Sequence, residues 1–196
     1  MGLAIMIIGL ATILGSHTFV TMRPARAVLV ARLGVGPYKI LLSIVSFVGL
    51  WLIGWGFAEY RAAGFVNIWM PPPWTRHITL LLVWPAIICV AAAYIPGDIK
   101  RVLKHPILVG VKLWALAHLI ANGDLGSIVL FGSVLAWAVY DRITLKRRSD
   151  AGAPPIPSGG RRNDFFAVAV GTLVYFALGF WFHPWVIGVP VFRAGI

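Results

Sequence analysis

The stretch that decides the reading is residues 104–124, KHPILVGVKLWALAHLIANGD. Lys104 and His105 stand just before Pro106, and proline suits the first turn of a helix because its missing N–H would have no intrahelical partner there. An apolar run follows, interrupted only by Lys112 and His118, and it halts at Asn122-Gly123-Asp124, a turn signature. The pattern predicts a membrane helix with a basic entrance, an imidazole in its second half and an abrupt exit. An ionisable group at that depth is costly, so it usually faces the protein interior and marks function. His118 is the first residue to explain.

Composition says the same of the whole chain. It has 196 residues, 60% of them hydrophobic and 12% charged, with a mean hydropathy of +0.88. Soluble domains carry about 25% charged residues, so half that charge predicts an integral membrane protein. A formal charge of +11 would suggest nucleic acid in a soluble protein. Here the basic residues gather in loops between apolar runs, and no nucleic-acid partner is expected. Cys89 is the single cysteine, so there is neither a disulfide framework nor a CxxCH for covalent haem. Residues 3–20 are apolar and the first basic residue, Arg23, follows them, the reverse of a cleaved secretory signal. Met6 fills the Ser/Thr place of a myristoylation signal. Residues 2–21 read as a retained first span.

Six apolar segments approach the length needed to cross a hydrocarbon core of about 30 Å at about 1.5 Å per residue. They run 2–21, 38–58, 77–96, 106–122, 125–142 and 165–187. Their backbones can be satisfied in lipid only as helices. The expected fold is all-α, an integral membrane bundle of about six transmembrane helices, with residues 1–196 forming a single domain. The turn between the fourth and fifth segments is tight enough to force an antiparallel hairpin. All but four of the 17 lysines and arginines fall in the loops after spans one, three and five. The positive-inside rule then predicts those loops cytoplasmic and both termini on the outer side. Residues 22–36 read equally as a short basic helix lying on the anionic inner leaflet or as a plain charged connector. Residues 149–163, rich in Pro and Gly, read as a flexible cytoplasmic linker. Trp69–Trp74, WMPPPW, reads as an interfacial anchor.

No paired carboxylates lie inside the spans, and there is no phosphate loop, HExxH or Ser-His-Asp order. What remains is histidine, the common ligand of haem and transition metals. His118 shares a helical stripe with Trp114 and Asn122, four residues to either side. That face suits a cofactor wall, or merely an imidazole bonded to a neighbouring carbonyl. His17, after the small residues Gly15 and Ser16 that let helices approach, stands near the inner end of span one, and His105 at the inner surface before Pro106. His77 and His183 fall near the outer ends of their spans, where an ordinary interfacial role is the simpler reading. Counting from the inner ends puts His17 and His118 roughly 10 Å apart in depth. Depth alone pairs His118 with His77 or His183, and His17 with His105; helix tilt would absorb part of the difference.

Taken together, His17, Arg26, ARLGVGPYK (31–39), PPPW-x-RH (71–77), AAYIPG (92–97), KHPILVG (104–110), LWALAHLIANGD (113–124), LFGS (130–133) and AWAVYDRITLKRR (136–148) resemble the NnrU family of bacterial membrane proteins. The family is similar to 15-cis-zeta-carotene isomerase, a b-type haem enzyme that isomerises one double bond of a carotenoid precursor. The resemblance implies haem b, an apolar polyene substrate and the lipid bilayer as partner. It implies metal ligation by His17 and His118 in a bacterial inner membrane, where the loop charges put both termini in the periplasm, and it matches His105 to an RHP-type motif. Depth offers His77 as a substitute ligand, and the stripe shared with His118 adds Trp114 and Asn122 as cofactor-site residues. Arg32, Lys112 and Arg101 are the basic groups on the side where haem propionates would lie. Two other functions stay open. The family name implies an accessory role in nitric oxide metabolism and denitrification. The KHP motif is similar to the RHPxYxG of S-adenosylmethionine-dependent membrane methyltransferases, without its tyrosine.

Overall fold

The computed structural model describes residues 1–147 and 159–192. Among them are eight α-helices: α1 (Gly2–Thr21), α2 (Arg23–Leu33), α3 (Val35–Ala62), α4 (Thr75–Tyr94), α5 (Asp98–Leu103), α6 (Pro106–Ala121), α7 (Leu125–Lys146) and α8 (Gly160–Ala177). A π-helical stretch, Leu178–Ile187, continues α8. Five helical segments are long and apolar enough to span a bilayer, and α6, at 16 residues, is the short sixth. The fold is an all-α bundle of apolar helices, fit for a multi-pass membrane protein. Large apolar side chains such as Phe47, Trp51, Leu81 and Leu173 stay exposed along the spans, as a lipid-facing exterior requires.

Two compact units make up the chain: Met1–Pro72 with His118–Asp150, and Pro73–Ala117 with Ala151–Ile196. In the first unit, glycines at a seven-residue spacing let α1 and α3 meet backbone to backbone. A Cβ on Gly9 would lie 2.7 Å from the Ile53 nitrogen and 2.8 Å from the Gly49 carbonyl oxygen. Gly2 meets Gly56 and Tyr60 in the same way, so the two helices run antiparallel with Met6 fully buried between them. Small residues drive association in lipid because the hydrophobic effect no longer holds helices together there, and close van der Waals contact must. Gly15, the small residue expected to bring helices together beside His17, has no neighbour within 4 Å. The close approach is made instead at Gly2 and Gly9 and where Gly49 meets Ile13.

The far end of this unit is latched. Ile68 and Trp69 donate to the Gly123 carbonyl at 2.8 and 3.1 Å, and Leu125 donates to Val66 at 2.8 Å. Thus residues 66–69 pair with the Asn-Gly-Asp turn. Asp124 caps α7, accepting from the Ser127 amide at 2.9 Å, which satisfies one of the donors left free at a helix start. Residues 69–74 hold no helix, as their prolines dictate. The connector at 22–36 does form a helix, α2, with no buried residue.

In the second unit α8 packs on α4. Gly171 faces Ile88, and the Trp84 indole donates to Thr172 at 3.0 Å. Gly110 of α6 sits against the Ala86 carbonyl, while Thr79 donates to the Ala117 carbonyl at 2.9 Å. Residues 149–158 of the expected linker lie outside the described residues, and Gly160–Asn163 form the first turn of α8. Asn163 donates to the Pro96 carbonyl at 2.9 Å, and Asp164 accepts from the Ile99 amide at 3.0 Å. A carboxylate from α8 therefore caps α5. The π-helical widening accompanies Pro184, which has no N–H to give to the helical ladder.

Candidate functional site

His17 occupies the last turns of α1, and its ring is fixed from two sides. Its Nδ1 lies 2.9 Å from the Ile13 carbonyl oxygen one turn back. A carbonyl only accepts, so Nδ1 carries the proton and donates, and the Nε2 lone pair is left for another partner. Ser16 donates to the same carbonyl at 2.8 Å. The imidazole meets the Trp137 indole of α7 edge-on, with ring centroids 5.7 Å apart and planes at 90°. Trp137 Nε1 is itself buried with no acceptor. A histidine held by Nδ1–H to a backbone carbonyl, with Nε2 presented, is the arrangement in which histidines bind metals, because the second bond sets the tautomer and the ring's orientation.

His118 lies near the end of α6, half-buried, with its ring stacked on Phe131 of α7 at 4.6 Å and 29°. Its carbonyl accepts from the Asn122 backbone at 3.0 Å and from the Asn122 side-chain amide at 2.8 Å. The Asn122 amide thus closes the end of α6. Trp114, one turn before His118, is half-buried and falls in the second unit. His77 is exposed in the first turn of α4, and His105 is half-buried just ahead of α6, both also in the second unit. Arg101 pairs with Asp98 at 3.1 Å on the surface.

Both candidate metal ligands of the first unit rest on α7. Their contacts, Phe131 and Trp137, stand six positions apart, which is about 9 Å along the helix and about 120° around it. A metal–imidazole bond is about 2 Å, so one iron gripped by both rings would need their nitrogens about 4 Å apart. The His17 ring is held in one tautomer by Ile13, whereas the His118 ring is taken up by its stacking on Phe131. Among the described residues no group of three or more His, Cys, Asp or Glu gathers as a metal cluster.

Sequence reasoning passed over Phe131 and Trp137, although they lie inside LFGS and AWAVYDR. Neither is ionisable, and their value appears only when an imidazole is seen against each. A family model described as NnrU protein matches residues 5–191. No curated protein and no solved structure matches the chain. The match covers nearly its whole length, and the chain belongs to the NnrU family.

Proposed function

We propose that this NnrU-family protein binds one b-type haem in the bacterial inner membrane, that His17 would hold it, and that His118 would join it only once its ring leaves Phe131. The observation that carries the reading is the His17 ring, whose Nδ1 proton is committed to Ile13 so that Nε2 is left as the basic nitrogen. The donor set also suits a macrocycle better than a bare ion. One or two imidazoles would suffice to hold a macrocycle's iron, whereas a structural metal site needs about four protein ligands.

What the chain's own residues do follows from this. Ile13 and Ser16 hold the imidazole in one tautomer, Trp137 fixes its plane, and the surrounding apolar helices exclude water from the iron. When bound, haem supplies an electron-rich centre that weakens a double bond, and the reaction proposed is cis–trans isomerisation of a long polyene.

The test is an absorption spectrum of full-length protein purified in mild detergent from cells supplied with a haem precursor. A Soret band is expected, lost in His17→Ala, altered in His118→Ala and unchanged in His77→Ala. A colourless wild-type protein overturns the reading. Haem without conversion of a poly-cis carotenoid overturns the isomerase half and favours an accessory role in nitric oxide metabolism.

A further inference from the structure

Between α1, α2 and the first turns of α3 lies a groove of about 280 Å³, walled by Ser16, Phe19, Leu29, Tyr38 and Leu42 among others. That is many times the roughly 10–15 Å³ that a single water needs by the same measure. Its wall is almost wholly apolar, with one anomaly. Tyr38 is only 4% exposed, and its hydroxyl is buried with no hydrogen-bond partner. Buried hydroxyls are normally satisfied, and one that is not marks a missing partner or ligand.

The rim is cationic. Arg26, one turn before Leu29 on α2, holds its guanidinium 5.7 Å from the Tyr38 ring centroid, and it is exposed. Arg23, Arg32 and Lys39 lie in the same stretch of chain, and residues 1–58 contain no Asp or Glu. An apolar slot beneath an uncompensated guanidinium matches an amphiphile with a greasy tail and an anionic head. A planar, weakly hydrated guanidinium is also the side chain best suited to phosphate.

We infer that this groove binds an anionic membrane phospholipid, one acyl chain lying against Leu29 and Leu42 and the phosphate at Arg26. The inference stands apart from haem, which the Soret band reads separately. Arg26, resting against the Tyr38 ring, anchors the headgroup, and the slot selects for a chain.

Native mass spectrometry of the full-length protein, titrated with phosphatidylglycerol or with phosphatidylcholine of the same acyl composition, tests it. Phosphatidylglycerol is expected to be retained roughly tenfold better, as one charge-assisted contact to a net negative headgroup would give. Arg26→Gln, an exposed change that leaves the fold alone, is expected to bring the two lipids level. Leu42→Trp, which fills the slot, is expected to lose both. Equal retention of the two lipids by wild-type protein overturns the proposal, as does a preference that survives Arg26→Gln.

Discussion

His17 and Trp137 meet at right angles, ring centroids 5.7 Å apart, one on α1 and the other on α7. The indole edge holds the plane of the imidazole while Ile13 holds its tautomer. Edge-to-face pairs of this kind are worth about 0.5–1.5 kcal/mol beyond the area they bury. Trp137→Leu should therefore loosen the ring and lower haem occupancy severalfold at limiting haem. Trp137→Phe keeps an aromatic edge and removes a buried donor that has no acceptor, so it should retain haem near wild-type levels. The ratio of Soret to protein absorbance measures both. The ¹⁵N spectrum of haem-free protein with labelled histidine should show Nδ1 protonated at His17.

The glycines of α1 give a contrast within one helix. Gly9 abuts the Gly49 and Ile53 backbone of α3, whereas Gly15 has nothing within 4 Å. Gly9→Val should prise α1 from α3 and cost at least the 1–3 kcal/mol typical of overpacking, read as a drop of several degrees in thermal unfolding in detergent. Gly15→Ala should raise the midpoint slightly, since alanine in a helix interior is better than glycine by about 1 kcal/mol. Equal effects at the two positions would refute this account of the α1–α3 contact.

The spans were legible because apolar length and loop charge are local properties. The ends of α1 and α6 fall within a residue of where the sequence reading placed them. The capping Asp124 sits in the turn that the Asn-Gly-Asp signature marked. What escaped the sequence was long-range. Nothing near Gly9 in the chain tells that Gly49 will face it, and the small-residue argument settled on Gly15 because it neighbours His17. The depth difference between His17 and His118 was countable at roughly 10 Å. That both rings lean on α7, at Trp137 and Phe131, depends on which faces the helices turn to each other, and the chain is apolar on every face. Likewise Asp164 reads as a residue at a span end until the amide of Ile99 is found on it.

Lys104 has φ +61° and ψ −46°, a region that L-residues rarely occupy. The His105 amide donates across it to the Leu103 carbonyl at 2.7 Å. This is a γ-turn of the rare, strained hand, and it forces the chain to turn between α5 and Pro106. Strain of this sort costs of order 1–3 kcal/mol. Lys104→Gly should therefore stabilise the protein by about 1 kcal/mol after its unfolded-state entropy is counted, visible as a higher unfolding midpoint. Lys104→Pro should be severely destabilising, because proline cannot adopt a positive φ and its nitrogen could not donate to Lys100 as the Lys104 amide does at 2.8 Å.

Asp164 and Asp98 are two carboxylates near α5 with opposite expected consequences. Asp98 pairs with Arg101 at 3.1 Å, with the arginine side chain 63% exposed, and exposed pairs contribute about 0–1 kcal/mol. Asp164 instead accepts from the Ile99 amide, a donor in the first turn of α5 that no intrahelical carbonyl can reach. It also lies against Gly97, so closely that no side chain fits there. Asp164→Ala should cost about 0.5–2 kcal/mol, the usual worth of a cap, and speed hydrogen exchange at Ile99 while distant amides stay protected. Asp98→Ala should change neither beyond a few tenths of a kcal/mol. Asn163→Ala should reproduce part of the Asp164 effect, because its amide holds the Pro96 carbonyl at 2.9 Å in the same junction. If Asp98→Ala proves the more damaging of the two aspartate changes, the helix is held by its own ion pair and the cap from α8 is incidental.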